Sequence, residues 1–189
     1  MTEPDGHHWW FDSGAIALDL RYATLINPAD LAGWMSERFD RVDPRATDRD
    51  LADARALADA IAQIAPHHPQ LHDEHPPRAL SGAIDILNLY AALPDIPPRM
   101  PGGRRQAGAG RIRISAVLAT IARDAVTLFT QAEPGRIREC AAKGCGYLFI
   151  DASRSNNRRW CAMQRCGNRE KVRAHRRRAS SGSSDDGRD

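Results

Sequence analysis

Four cysteines, Cys140, Cys145, Cys161 and Cys166, lie within 27 residues of a 189-residue chain, and the chain has no others. They form two C-x4-C pairs separated by fifteen residues. Two close pairs joined by a loop suit a tetrahedral thiolate site, each pair on a tight turn and the loop bringing the turns together. Leu148-Phe149-Ile150, with Tyr147 before them, is apolar enough for a short strand and a small core. Trp160, beside the third cysteine, is placed to cover the site. A segment this short cannot bury a core of its own, so metal binding must contribute folding energy. Four protein thiolates leave no ligand position for water or substrate, which predicts one structural Zn2+ rather than a catalytic metal. Two disulfides and a redox-sensing zinc-thiolate centre are the alternatives.

The charge distribution singles out the same segment. Residues 1–135 carry 13 Arg and no Lys against 18 Asp and Glu. Residues 136–178 carry 13 Lys and Arg against three acids, an excess of +10. Arg154, Arg158, Arg159, Arg169, Lys171, Arg173, Arg176 and Arg177 are the candidates for contact with a polyanion. Arginine predominates, which suits bidentate contact with phosphate or guanine. The stretch from Asn168 to Arg178 reads as a basic helix, with Asn168 as its structural cap and Glu170 near its positive end. A solvated charged helix, or a patch neutralised by the acidic N-terminal part of the chain or by the tail, are the competing explanations.

The remainder reads as helical. Aromatic residues are only 6% of the chain, and Ala and Leu dominate the apolar positions. Ala15–Leu25 suits a first buried helix. Asn27-Pro28 with Asp30 marks the start of a second, carrying Leu31, Trp34, Met35 and Phe39. Thr47 or Asp48 caps a third, with Leu51, Ala54, Leu57, Ala58, Ile61 and Ile64 as its buried stripe and Pro66 as its end. His67–Pro77 reads as a polar loop. Leu80, Ile84, Leu87 and Ala91 mark a fourth helix, stopped by Pro94, and 95–110 is a Pro- and Gly-rich loop. Arg111–Gln131 is the longest apolar-periodic segment, broken by Pro134-Gly135. The expected fold is mainly α: a lead-in over 1–13, a helical domain over 14–135, a four-cysteine zinc module over 136–178 with a short β element and a basic C-terminal helix, and a disordered polar tail over 179–189.

These residues resemble a known family. Cys140-Ala-Ala-Lys-Gly-Cys145, Leu148-Phe149-Ile150-Asp151, Ser153-Arg154, Arg158-Arg159-Trp160-Cys161-Ala-Met163, Cys166-Gly167-Asn168-Arg169 and Lys171 together are similar to the CGNR zinc finger over about 35 residues. In that family the finger follows a helical ABATE domain, described as a stress-induced transcription regulator. Ala17-Leu18-Asp19-Leu20, then Asn27-Pro28-Ala29-Asp30-Leu31-Ala32-Gly33-Trp34, resemble its opening, and a long helix leading into Arg136–Cys140 fits the same plan. Where the family usually has an Asn-Thr pair, this chain reads Arg21-Tyr22-Ala23-Thr24. The resemblance implies zinc and suggests DNA binding.

Other motifs carry less. His67, His68, His72 and His75 form a loose cluster, but the prolines around them disfavour a helix presenting two imidazoles on one face, so a solvated loop is expected over a second metal site. His7-His8 beside Trp9-Trp10 reads as a mobile terminus. No nucleophile motif, phosphate loop or H-E-x-x-H is present, so no enzyme is expected. No basic, apolar leader and no membrane-length apolar run are seen, and a cytoplasmic location is expected. The expected function is that of a bacterial-type transcription regulator: the finger contacts DNA, and the helical domain senses a small-molecule effector or mediates assembly, such as a homodimer. The alternatives are a zinc module for protein or interdomain docking, and an RNA-binding factor.

Overall fold

The computed structural model describes residues 11–72, 77–98, 100, 110–133 and 135–181. They form two compact units, one helical and one built around the cysteines. His7, His8, Trp9, Trp10, His75, most of the 95–110 loop and the tail beyond Ser181 lie outside the described residues.

In the helical unit α1 spans Ile16–Arg21, α2 Pro28–Ser36, α3 Asp48–Ile64, α4 Ser81–Ala91 and α5 Ile114–Gln131. The helix starts follow local chemistry. Asn27 accepts the N–H of Asp30 while the Asp30 carboxylate accepts the N–H of Asn27, and Thr47 and Asp50 make the same reciprocal pair at α3. The core lies along α5, which packs against α1, α3 and α4. Val117, Leu118, Ile121, Ala125 and Phe129 are buried on α5, opposite Leu57, Ile61 and Ile64 of α3 and Leu18 and Leu20 of α1. Each large side chain removed from water contributes about 1.5–3 kcal/mol before entropy is subtracted. Polar clamps fix the connections. Arg55 donates to the carbonyls of Leu25 and Ile26, and Arg123 to those of Ala91 and Leu93. The Asp124 carboxylate accepts the N–H of Ala17 at 3.0 Å.

Several boundaries differ from the periodicity. α1 is shorter than 15–25, ending at Arg21. Phe39 falls beyond the end of α2 and is half-buried. Ala60, not Ala58, completes the buried stripe of α3. Pro66 ends the α-helix but not the helical path: a 3-10 run continues over Ala65–His72. Pro66 and Pro69 have no N–H for the wider ladder, and the tighter turn takes its place. Among the described residues no helix is long and apolar enough to cross a membrane.

In the second unit β1 (Ile137–Glu139) pairs antiparallel with β2 (Leu148–Ile150), Arg138 lying opposite Phe149. The segment 136–140 is therefore strand and turn, not the continuation of a helix. A π turn over Met163–Gly167 leads directly into α6, Asn168–Ser181. Phe11–Gly14 belongs to this unit although it precedes the helical unit in sequence. The Ile150 N–H donates to the Ser13 carbonyl at 2.7 Å, and Phe11, 3% exposed, meets Tyr147 edge-on at 5.1 Å. Gly14 adopts φ +87°, and a Cβ there would lie 3.3 Å from Ile150 Cβ, so the segment can turn and stay close only with glycine.

Candidate metal centre and basic face

Each cysteine is placed by a short backbone device. Cys140 leaves β1 and donates its N–H to the Tyr147 carbonyl at 2.8 Å, closing the first turn. The Cys145 N–H bonds the Ala142 carbonyl inside that turn. The Ala141 N–H reaches the Arg159 carbonyl at 2.9 Å, and the Cys161 N–H reaches Cys140 Sγ at 3.4 Å, joining the two halves of the site. Cys166 sits in the π turn, where both its N–H and that of Gly167 bond the Ala162 carbonyl.

The four Sγ atoms lie within 4.8 Å of one another, the one such group of three or more metal-ligating side chains among the described residues. Cys145 to Cys161 is 3.6 Å, Cys161 to Cys166 is 3.7 Å and Cys166 to Cys145 is 3.6 Å. Sulfurs about 2.3 Å from a central zinc stand about 3.8 Å apart at tetrahedral vertices, so the cluster fits the ion. Electrostatics point the same way. Burial, then the neighbouring sulfurs, push the Cys161 thiol far up, and burial with the Cys145 contact pushes Cys166 to about 11. Burial opposes ionisation of Cys140 too, but hydrogen bonds led by the Cys161 and Ala142 N–H groups bring it down. Four negative sulfurs at this separation repel one another, and a divalent cation removes that conflict. Zinc bound by Cys140, Cys145, Cys161 and Cys166 is thus a structural ion.

Around the cysteines lies a polar framework whose roles the sequence did not reveal. Asp151 is wholly buried. It accepts the Ser153 hydroxyl and N–H, the Arg158 N–H at 2.7 Å and Arg138 Nη1 at 3.3 Å. Burial alone would raise its carboxyl; these bonds, Ser153 foremost, hold it at about 2. Arg136 donates to the carbonyls of Asp151 and Ser153. The Asp-x-Ser spacing was the available signal, since it matches the local turn in which an aspartate binds backbone two residues on.

The basic candidates divide into two groups. Arg158 is half-buried, with its guanidinium donating to the carbonyls of Trp160, Ile150 and Cys161 and lying 4.4 Å over the Phe149 ring. Arg169 is also half-buried, and its Nη2 lies 3.7 Å from Cys166 Sγ. Arg154, Arg159, Lys171, Arg173, Arg176 and Arg177 are exposed. Arg159 lies 5.2 Å over the Trp160 ring, and Arg173 pairs with Glu170 at 2.7 Å.

Asn168 does not cap the start of α6. Its φ of −67° is helical, and its amide donates to the Gln164 carbonyl at 3.3 Å, because the helical path has already begun at Met163. Away from the finger, His67 is exposed and His68 Nδ1 lies 3.0 Å from the Ala65 carbonyl.

The family model for the CGNR zinc finger matches residues 136–179. The ABATE model, described as "Putative stress-induced transcription regulator", matches residues 14–132. No curated protein matches the chain.

Proposed function

From a chain that belongs to the ABATE family and carries a CGNR zinc finger, we infer a DNA-binding transcription regulator whose contact surface is the finger's basic face. One observation carries this: α6 leaves the metal centre directly after Cys166 and holds Lys171, Arg173, Arg176, Arg177 and Arg178 exposed, with Glu170 its one acidic residue. A helix of this kind fits the major groove of duplex DNA, and Arg154 and Arg159 add charge on the adjoining loop. Four thiolates and one zinc carry a net charge of −2, so much of the basic excess remains for a partner. Arg158 and Arg169 act from inside, Arg158 by holding the 150–161 loop and Arg169 by donating to a ligand sulfur. The helical unit senses an effector or mediates assembly, and no catalysis is assigned.

Binding to random duplex DNA, titrated against salt, tests this. Six phosphate contacts correspond to a slope of about −5 in log K against log salt. Arg176→Ala should reduce that slope by about 1. Absence of binding at low salt would favour a docking module instead, and preferential competition by structured RNA would favour an RNA ligand.

A further inference from the structure

The four ligands are not equally protected. Cys140, Cys161 and Cys166 are buried, whereas Cys145 is half-buried. The Cys161 N–H points at Cys140 Sγ and Arg169 Nη2 at Cys166 Sγ. Such donors withdraw charge from a thiolate and lower its reactivity. Cys145 stands between Gly144 at φ +74° and Gly146 at φ +67°, and beside each glycine the space a side chain would fill is open. A small oxidant can therefore approach this sulfur from the solvent side. The Cys161 and Cys166 sulfurs each lie 3.6 Å from it.

We propose that Cys145 is a peroxide-modification site through which oxidation releases the metal and unfolds the finger. The Cys145 thiolate attacks a peroxide oxygen. An S–O bond forms, the O–O bond breaks, the sulfur loses two electrons, and hydroxide (or alkoxide) departs. The resulting sulfenic acid is a poor zinc ligand. The Cys161 thiolate then attacks the Cys145 sulfur, the S–S bond forms, and a second hydroxide leaves. Cys161 takes this part because Cys166 is held by Arg169. Only Cys140 and Cys166 would then remain as thiolate ligands, too few to retain the ion. Two electrons pass from two thiolates to one peroxide, and a dithiol reductant reverses the step. Where the finger binds DNA as proposed above, oxidation would end that binding; the site itself does not depend on that function.

The test uses the full zinc-loaded chain, hydrogen peroxide and a chromophoric zinc chelator, with no nucleic acid present. One zinc should be released per chain, with a Cys145–Cys161 disulfide found by peptide mapping and an early sulfenic adduct trapped on Cys145. Cys145→His keeps a fourth ligand but removes the least buried sulfur and should slow release at least about tenfold. If Cys145→His fails to hold zinc, the adduct and disulfide in the wild-type chain decide. A first adduct on another cysteine, a disulfide lacking Cys145, or unslowed release from Cys145→His would overturn the proposal.

Discussion

The helical unit and the finger are stabilised by different means. The helical unit buries Phe129, Leu118, Ile121, Leu57 and Ile61 along interlocking helices, and its stability is apolar. The finger buries few large apolar side chains, chiefly Phe149 with Ile137, Leu148 and the incoming Phe11. Beside them lie the cysteine sulfurs, the buried Asp151 and Ser13, and half-buried arginines. A unit of the first kind tolerates loss of any one polar partner. A unit of the second kind depends on a single ion and on hydrogen bonds that satisfy one another.

Metal removal should separate the two units' behaviour most widely. Structural zinc contributes apparent free energies of about 10–16 kcal/mol in small fingers at neutral pH. Chelation, or Cys161→Ser, should therefore collapse the amide dispersion of residues 136–178 in NMR spectra while leaving the helical unit's cooperative melt in place.

Two phenylalanines should give opposite, smaller effects. Phe129→Ala should cost the helical unit about 3–5 kcal/mol by denaturant titration and leave zinc affinity unchanged. Phe11→Ala, early in the sequence, should do the reverse, weakening zinc retention in chelator competition with little effect on the helical melt.

Asp151 gives a smaller, pH-resolved effect. Its carboxyl is held at about 2, below an ordinary value of about 3.9. Its stabilising contribution is complete above the ordinary value and is lost only as pH falls through 2. Zinc loss on acidification between pH 8 and 5 therefore belongs to the thiolates. Asp151→Asn should weaken zinc affinity at every pH in that range without moving the midpoint of the pH profile.

Smallest is the α2 cap. Asn27→Ala should cost about 1 kcal/mol in the helical unit and nothing in zinc affinity.

Legibility in the sequence follows the same division. Features set by nearest neighbours were readable: Asn27-Pro28 with Asp30, the α3 start at Thr47 or Asp48, the long α5 periodicity, the four-cysteine spacing. Ala58 and Ala60 both lie near the inner edge of α3, and only packing against neighbouring helices decides between them. Asn168 looked like a cap because the π turn before it has no periodic signature. The recruitment of Phe11–Gly14 by Ile150 and Tyr147 spans the whole helical unit in sequence, so no local pattern announces it. Arg158 and Arg169 counted as surface charge because composition cannot distinguish a guanidinium facing solvent from one satisfied by buried carbonyls or sulfur.

One ion held by four thiolates organises the finger. X-ray absorption at the zinc edge on the purified chain, with metal analysis, tests this most directly. One zinc per chain, surrounded by four sulfurs at about 2.3 Å, is the predicted result. A chain without zinc, or a shell containing nitrogen or oxygen in place of a cysteine sulfur, would contradict it.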